Sequence, residues 1–353
     1  MVCGLLDSIN ERKLNVMKKE ESCVLDESTY FTPEANMRYL DCSSYKQFVG
    51  TCGKKGCECR ALAIAKGEYK QPKTPALLLG SYVDRYFDGT LAEFMIEEMD
   101  NLYTKASIKK FKEGNGDLEL LSDYKMADVM IKRAIREPLF MKYVQGETQK
   151  ILTAEIGGKY EVCFKDKRIK DETLYKTVAT FQSKQEADRY VDNNSNDIYF
   201  VKEVAKGVPI RVKLDSYDGH RITDIKTAAS ISETYYAADL GQRLNFAEYF
   251  GYIEQAYFYQ TAVEQNYGKK LPFYLAVITK EKYYNEPHPR VAIIHIPDGV
   301  IENKGKEIQG RIHNVWNLIQ GEYDPVPCGC CEWCADNLPL KNVISLDELM
   351  LGV

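Results

Sequence analysis

The chain has 353 residues, of which 44% are hydrophobic and 28% charged, a composition typical of a globular protein. Its formal net charge of -5 at pH 7 excludes attraction of nucleic acid by overall charge, so any such binding needs a local basic face. No apolar run reaches the roughly 20 residues that span a bilayer. Residues 1–6 are too short for the apolar part of a signal peptide, so we expect a cytoplasmic protein that does not bind membranes.

Helical patterns dominate the N-terminal part of the chain. Residues 1–28 are polar and predict a short helix followed by a linker. A helix is expected to begin near Ser44, because serines precede an apolar segment there. Apolar residues recur at helical spacing in 60–65, 77–99 and 122–144, the last of these interrupted at Pro138.

Strand patterns begin near residue 149. They predict strands at 150–156, 271–279 and 290–296, with helices at 243–267 and 301–320. Helices combined with a mixed sheet indicate an α/β protein with one catalytic domain. We assign an N-terminal extension to 1–40, a core to 41–158 and 208–327, an inserted small α+β subdomain to 159–207, and a cysteine-rich tail to 328–353.

A β-hairpin is predicted at the centre of the core. Two alternating segments, 210–214 and 221–225, flank the dipeptide Asp218-Gly219, which is a common tight turn between paired strands. Each of the two strands is expected to carry an acidic residue at or near its end.

The hairpin carries the first candidate catalytic residues. Asp224 and Lys226 are two residues apart and share a face of the second strand, and Asp215 closes the first strand. Two carboxylates beside an ammonium group suit a divalent cation and a group that positions water. An isolated Asp-x-Lys is more often a surface ion pair, so the assignment depends on the rest of the chain.

Two neighbouring features strengthen the catalytic interpretation. Glu155, on the strand before the hairpin, is a third carboxylate that would complete a metal site, although an exposed strand acid explains it equally well. On the following helix Tyr252, Gln255 and Tyr259 lie at i, i+3 and i+7 and therefore share one face. The shared face indicates either that these side chains make polar contacts to a functional site or that they pack in the core.

The cysteines are clustered in a way that favours metal ligation over disulfides in a cytoplasmic protein. Cys328, Cys331 and Cys334 form a C-x₂-C-x₂-C run with Cys330 as an additional thiol. This spacing suits an iron–sulfur cluster that takes a fourth cysteine from elsewhere, and zinc is the alternative. The fourth ligand would come from the upstream group Cys52, Cys57 and Cys59.

The sequence lacks the signatures of two large enzyme classes. It contains neither a Gly-x-Ser-x-Gly elbow nor a Gly-x₄-Gly-Lys-Ser/Thr phosphate loop. These absences argue against a serine hydrolase and against an ATP-driven motor.

Taken together, these residues resemble the PD-(D/E)XK nuclease superfamily, specifically the phage RecE-like (exodeoxyribonuclease VIII) branch of RecB-type nucleases. The resemblance covers roughly residues 40–158 and 208–340. It implies a restriction-endonuclease-like core, a mixed central sheet flanked by helices, with a helical N-terminal region. It also implies that Asp215 and Asp224 bind metal, that Lys226 is the catalytic lysine, and that Glu155 is the upstream acid.

Further segments extend the resemblance. Tyr252, Gln255 and Tyr259 match the Tyr-x₂-Gln-x₃-Tyr helix motif of RecB-type enzymes. Asp84 stands where many relatives place a metal-binding histidine, so the resemblance offers it as a further metal ligand. The tail is similar to that of iron–sulfur members of the group, in which one cysteine precedes the first core helix, and Cys57 matches that position best.

The resemblance implies a function as well as a fold. It implies Mg²⁺- or Mn²⁺-dependent hydrolysis of DNA, most often of linear duplex ends during phage recombination or replication, and a structural 4Fe–4S cluster with zinc as the alternative. A phage- or prophage-encoded protein in a bacterial host, a single-strand annealing partner and a homo-oligomer belong to the same expectation. The alternatives are a structure-specific endonuclease or nickase, and a catalytically silent module that binds DNA or a protein partner.

Overall fold

The computed structural model describes residues 25–164, 175–194 and 199–339, and residues 343, 345 and 346. Most of the segment 1–28, for which a short helix and linker were predicted, lies outside these ranges, as does most of the chain after 339. None of the helices within the described ranges is long and apolar enough to cross a membrane.

Short helices fill the described chain before the first strand. They are α1 (Pro33–Asn36), α2 (Cys42–Val49), α3 (Glu58–Ala65), α4 (Pro75–Phe87), α5 (Leu91–Glu97), α6 (Met99–Leu102), α7 (Lys105–Lys112), α8 (Ser122–Ala134) and α9 (Pro138–Val144). Side chains cap several of them: Asp41 accepts a 2.8 Å hydrogen bond from the backbone N–H of Ser44 at the start of α2. Thr74 caps α4 in the same way, and Pro75 follows in the first turn, where its missing N–H has no partner to lose.

The helices predicted at 77–99 and 122–144 are each divided. After α4 the chain turns at Gly89, which has a φ of 80°, before α5 and α6 follow. Pro138 begins α9 as a separate helix after α8, because a proline inside a helix cannot donate the required backbone hydrogen bond.

Two groups of strands form the core. Strands β1 (Lys150–Ile156) and β5 (Val208–Leu214) pair antiparallel with each other. The central sheet has the order β13–β10–β7–β6, in which β6 is Ser216–Tyr217, β7 is Ile222–Ala228, β10 is Phe273–Thr279 and β13 is Val291–Ile296. Strands β7 and β10 are parallel and the other neighbours are antiparallel, so the sheet is mixed and the predicted α/β class is confirmed.

The predicted hairpin between 210–214 and 221–225 is only partly correct. Strand β5 forms its ladder with β1, and only the two-residue strand β6 pairs with β7. Asp215 lies between β5 and β6, at the point where the chain leaves one ladder and enters the other. The alternating pattern identified the strands but contained no information on which of them pair.

Helices cover both faces of the central sheet. Along β10, Phe273, Leu275 and Val277 belong to one apolar core, and Ala276 and Ile278 belong to a second one. The first core also contains residues of α2, α3, α12 (Tyr252–Tyr267) and α13 (Asp298–Gln320), and the second contains residues of α4, α8 and α9. Successive side chains of β10 point to opposite faces of the sheet, so this strand contributes to both cores. Helices of the N-terminal region therefore lie on both sides of the sheet.

The helix predicted at 243–267 begins later than expected. Residues Gln242–Asn245 form strand β9, which pairs with β8 (Thr234–Ala237), and the short helix α11 (Phe246–Tyr249) follows. Gly251, with a φ of 70°, then redirects the chain into α12. Apolar spacing alone did not show this break, because a left-handed glycine changes the direction of the chain without changing the spacing.

The segment after β1 folds around a small core of its own. Strands β2 (Lys159–Phe164), β3 (Lys176–Phe181) and β4 (Tyr199–Ala205) form a sheet in the order β3–β2–β4, against which α10 (Lys184–Asn194) packs. Tyr160, Val162 and Ala187 form its buried core. The described chain also contains the strand pair β11 (Lys282–Tyr283) and β12 (Glu286–Pro287) and the short helix α14 (Glu332–Asn337).

Candidate active site

Strand β7 places Asp224 and Lys226 side by side. Asp224 is completely buried, and the Nζ atom of Lys226 lies 2.5 Å from its Oδ2 atom. Burial by itself would lower the pKa of Lys226, but the negative charges of Asp224 and Asp215 outweigh burial and raise this pKa above its ordinary value. Lys226 is therefore held as a cation beside the carboxylates.

Asp215 joins this pair from the neighbouring strand. Its Oδ2 atom accepts a 2.9 Å hydrogen bond from the backbone N–H of Ile225. Burial and then the charge of Asp224 raise the pKa of Asp215 well above its usual value, against the opposing effects of Lys226 and the Ile225 hydrogen bond. The side chain is thus anchored to β7 at the residue between Asp224 and Lys226.

Asp84 enters the site from helix α4. This helix lies against β7: a Cβ atom added at Gly80 would lie only 3.5 Å from the Oγ1 atom of Thr227. Asp84 and Asp215 line the same small cavity. Burial, together with the charge of Asp224, raises the pKa of Asp84 to about 7, although Lys226 acts in the opposite direction. Asp84 thus lies close to Asp215, Asp224 and Lys226.

The helix face predicted on α12 points at the same group. Gln255 donates hydrogen bonds from its Nε2 atom to the Oδ1 atom of Asp224 at 2.7 Å and to the hydroxyl of Tyr259 at 2.9 Å. Tyr259 in turn donates to the backbone oxygen of Lys213 at 2.9 Å. Gln255 and Tyr259 therefore fix the orientation of Asp224.

Tyr252, on the same helix, contacts the lysine. The Nζ atom of Lys226 lies 5.1 Å from the centroid of the Tyr252 ring. A cation at this distance from an aromatic ring is attracted to the ring face. Tyr252 therefore restricts the position of the Lys226 ammonium group.

The charge distribution of this site suits a divalent cation. The Oδ2 atom of Asp224 is buried and has no hydrogen-bond partner among the described residues, in spite of its nearness to Lys226. Burial, and after it the negative charge of Asp224, raises the pKa values of Asp84 and Asp215. A hard cation would offset this accumulation of negative charge, and carboxylate oxygens are the type of ligand that Mg²⁺ and Mn²⁺ take.

Glu155 is not brought to this site, contrary to our expectation. In the antiparallel ladder of β1 and β5, Glu155 pairs with Pro209, and it is Lys150 that pairs with Leu214 beside Asp215. Six residues of strand at about 3.3 Å each separate Pro209 from Asp215, roughly 20 Å. Glu155 instead accepts a 2.7 Å hydrogen bond from the hydroxyl of Tyr160. Asp84, and not Glu155, is therefore the third carboxylate beside Asp215 and Asp224.

Sequence reasoning missed one further acidic residue at the site. Asp88 lines the same cavity as Asp84 and Asp215, and its charge contributes to the raised pKa of Asp84. The spacing of four residues between Asp84 and Asp88 on one helix was the available signal, because residues at i and i+4 are neighbours on a helix surface. The Asp88 carboxylate also accepts a 2.9 Å hydrogen bond from the backbone N–H of Thr90, in the turn between α4 and α5.

The cysteines form a second, separate group. The sulfur atoms of Cys57, Cys328, Cys331 and Cys334 all lie within 4.8 Å of one another. Of the upstream candidates, Cys57 is the one in the group, whereas Cys59 donates its thiol to the backbone oxygen of Pro325. The structure thus brings together the four cysteines that the sequence predicted.

Neighbouring groups support metal ligation at this cluster. Burial raises the pKa of Cys328, but hydrogen bonds from the backbone N–H groups of Cys330 and Cys331 contribute to lowering it to about 6, whereas burial raises the pKa of Cys331 to about 12. The buried Arg60 on α3 pairs with Glu332 on α14 at 3.0 Å and ties together the two helices that carry ligands.

The sulfur spacing bears on the kind of metal. Cys57 and Cys334 are 3.6 Å apart and Cys328 and Cys334 are 3.8 Å apart, measured between sulfur atoms. A single tetrahedral ion with metal–sulfur bonds of about 2.3 Å holds its sulfurs roughly 3.8 Å apart. In a 4Fe–4S cluster each thiolate binds a different iron, so the sulfurs would have to move apart.

The mixed sheet, its flanking helices and the group of acidic residues with one lysine define a PD-(D/E)XK-type domain. A family model described as a PDDEXK-like domain of unknown function matches residues 41–170 and 165–337, and the chain belongs to this family. The predicted resemblance to the superfamily is thereby confirmed.

A solved structure is similar over nearly the whole chain. It is the crystal structure of a "putative exonuclease" from Eubacterium rectale, which is 30% identical in sequence. The superposition has a TM-score of 0.72 and covers 94% of this chain and 100% of the other. The comparison with curated proteins gives no match.

Proposed function

We propose that the protein is a metal-dependent deoxyribonuclease that hydrolyses phosphodiester bonds, acting as an exonuclease on the ends of linear duplex DNA. The observation that carries the proposal is the convergence of Asp84, Asp215 and Asp224 on one cationic lysine, Lys226. A surface ion pair does not explain this group, because Asp224 is fully buried and has a hydrogen-bonding partner, Gln255, dedicated to its orientation.

Each residue has a role that follows from its position. Asp84, Asp215 and Asp224 would hold Mg²⁺ or Mn²⁺, which supplies Lewis-acid chemistry at the scissile phosphate when it is bound. The Lys226 ammonium group donates hydrogen bonds to the attacking water or to a phosphate oxygen and offsets the negative charge that develops in the transition state. Gln255 keeps the Asp224 carboxylate in the orientation that faces both partners.

The choice of an exonuclease is supported by the similar structure from Eubacterium rectale and by the resemblance to RecE-like enzymes. The resemblance to RecE-like enzymes also supports a phage- or prophage-encoded role in recombination or replication in the bacterial cytoplasm, with a single-strand annealing protein as partner. A homo-oligomer would be consistent with processive digestion. An endonuclease or nickase would use the same residues, so the form of the DNA substrate separates the two.

The decisive experiment compares linear and covalently closed circular duplex DNA in the presence of Mg²⁺ and of Mn²⁺. We expect the wild-type protein to degrade the linear form and to leave the circle intact. The variants Asp224→Ala and Lys226→Ala should each lose at least about 100-fold in rate, since each removes a group that contacts the reacting phosphate or its metal. Cleavage of the circle would identify an endonuclease, and no cleavage of any DNA in either metal would refute the enzyme proposal.

We also propose that the four-cysteine cluster holds a structural metal centre that fixes the tail to the N-terminal helices. The four thiols fit one tetrahedral ion as they stand, with zinc the expected metal. Elemental analysis of the purified protein tests this choice: one zinc per chain supports it. Iron and inorganic sulfide with visible charge-transfer absorption would establish the iron–sulfur alternative.

A further inference from the structure

An aromatic surface lies directly beside the candidate catalytic lysine. We call it the aromatic face and define it by Tyr235, Tyr249, Phe250 and Tyr252. It is formed by strand β8, the end of α11 and the first residue of α12. The Tyr252 ring is the one that contacts Lys226, so the surface starts at the active site.

The rings form a continuous series leading away from the lysine. The centroid of Tyr252 lies 6.2 Å from that of Phe250, which lies 5.0 Å from that of Tyr235. Tyr235 is stacked on Tyr249 at 4.8 Å with an angle of 22° between the ring planes. Phe250 is 41% exposed, although burial of its apolar ring would be favourable. Its ring contacts Tyr252, which in turn contacts Lys226.

The backbone beneath the aromatic face is held in place. An ideal Cβ position at Gly53 would lie 2.3 Å from the Tyr249 ring, which shows that this ring rests directly on the glycine backbone. The Nζ atom of Lys46 lies 3.4 Å and 3.3 Å from the backbone oxygens of Phe250 and Gly251, to which it donates hydrogen bonds. The Lys46 ammonium group thus lies beside the rings and is held there by two backbone oxygens.

These observations point to a single strand of DNA as the occupant. Nucleobases stack on aromatic side chains irrespective of sequence, and basic side chains contact the phosphates between them. The aromatic face also adjoins the lysine that contacts the scissile phosphate, so a strand bound at one is continuous with a strand bound at the other. A protein partner or a lipid would not account for this continuity with the catalytic group.

We propose that the aromatic face stacks the bases of an unpaired DNA strand next to the scissile phosphate, so that the enzyme acts on a strand separated from its complement. This inference rests on the proposed nuclease function and specifies the form in which the substrate strand is bound. It assigns to Phe250 a role in substrate binding, and to Tyr249 and Tyr235 the support of that ring.

The test uses single-stranded oligonucleotides that carry 2-aminopurine, whose fluorescence is quenched by stacking. Binding is measured in a Lys226→Ala background, which prevents cleavage. Phe250→Leu removes the ring but keeps an apolar side chain of similar size, Phe250→Tyr restores a ring, and Tyr323→Ala removes an exposed aromatic side chain outside the aromatic face. Melting temperatures establish that all variants are folded.

We expect Phe250→Leu to weaken binding roughly tenfold and to abolish the change in 2-aminopurine fluorescence, with Phe250→Tyr and Tyr323→Ala close to the parent protein. In the otherwise wild-type enzyme, Phe250→Leu should raise KM for DNA more than it lowers kcat. Equal affinity and fluorescence for Phe250→Leu and the parent, or no binding of single strands by the parent, would overturn the inference. Absence of DNA cleavage by the wild-type enzyme would instead refute the nuclease proposal.

Discussion

Asp224 is the residue on which the other candidate groups converge. Its two carboxylate oxygens face different partners, Gln255 on one side and Lys226 on the other. Because the side chain is completely buried, both contacts are made in surroundings of low dielectric constant, where charge interactions are strong. The activity proposed here therefore depends on a few side chains whose individual removal has different expected effects.

The first prediction separates the two candidates for the third carboxylate. We expect Asp84→Asn to reduce Mg²⁺-dependent cleavage at least about tenfold, because it removes a charge beside Asp215 and Asp224. Glu155→Gln should remain within about twofold of wild type, because its partner is Tyr160 and not the site. Steady-state cleavage rates over a range of Mg²⁺ concentrations provide the measurement. An inactive Glu155→Gln together with an active Asp84→Asn would reverse the assignment.

The second prediction concerns the residue that orients Asp224. Gln255→Ala should lower cleavage or apparent Mg²⁺ affinity by about 10- to 100-fold, as is typical for residues that orient metal ligands. Tyr259→Phe removes the next hydrogen bond of the network and should have a smaller effect in the same direction. A Gln255→Ala protein with wild-type metal dependence and rate would show that the hydrogen bond has no positioning role.

The third prediction is a pH dependence of stability in the metal-free protein. The pKa of Asp84 is about 7 in the folded protein against an ordinary value of 3.8. The folded state thus retains a proton that the unfolded state loses, so the contribution of Asp84 to the free energy of unfolding should fall as pH rises between about 4 and about 7 and then level off. Asp84→Asn should reduce the slope without abolishing it, because the raised pKa of Asp215 contributes a fall of the same sign.

Thermal unfolding at several pH values, with and without Mg²⁺, measures this effect. A cation competes with protons for the carboxylates, so Mg²⁺ should raise the melting temperature more at about pH 8 than at about pH 6. Identical pH slopes for wild type and Asp84→Asn in the absence of metal would contradict the prediction.

At the scale of elements, the cysteine cluster joins parts of the chain that are distant in sequence. Cys57 precedes α3, and the other three ligands surround or lie on α14. The turn before Cys57 carries Gly53, whose backbone supports the Tyr249 ring of the aromatic face. Metal ligation at the cluster, as proposed, would therefore stabilise a segment that contacts the aromatic face.

The fourth prediction follows from this connection. Cys57→Ser should remove the bound metal and lower the free energy of unfolding by at least about 3 kcal/mol, because a structural metal contributes directly to folding. Cys52→Ser is the matched control, since Cys52 lies outside the cluster and should keep both metal and stability. Metal content and chemical denaturation are the measurements. Unchanged metal content in Cys57→Ser would exclude this residue as a ligand.

In the molecule as a whole, both chain connections of the segment 159–207 lie at one end of the β1–β5 ladder, and Gln309 of α13 donates a 2.9 Å hydrogen bond to Gln182 of the segment. Ile156 and Val208 are paired at that point, and Gly157, with a φ of 77°, follows directly. The segment has its own small apolar core. It enters and leaves at the end of the ladder remote from Asp215, which leaves the catalytic candidates undisturbed.

The fifth prediction is that this segment can be removed. Joining Gly158 to Val208 leaves Gly157-Gly158 as a two-residue connection between paired strands, a length and composition suited to a β-hairpin. The shortened protein should fold cooperatively and cleave short linear DNA at a rate within about tenfold of wild type. Circular dichroism and cleavage assays test this, and a folded but inactive product would show that the segment contributes to DNA binding or catalysis.

The local features of the protein could be predicted from its sequence. The α/β class, the shared face of Asp224 and Lys226, and the Gln255–Tyr259 face of α12 all follow from periodicity, which depends only on spacing along one element. The cysteine spacing in the tail likewise limited the metal chemistry to a few choices. These features required no knowledge of which elements meet.

The tertiary structure decided which residues from different elements come together. The antiparallel pairing of β1 and β5 carries Glu155 away from Asp215, whereas the packing of α4 on β7 brings Asp84 to it. The docking of α14 beside α3 likewise brings Cys57 to the tail cysteines, a choice that the resemblance implied and the cysteine spacing left open. Strand pairing and helix packing depend on the complementary surfaces of whole elements, so the spacing within any one segment could not reveal them.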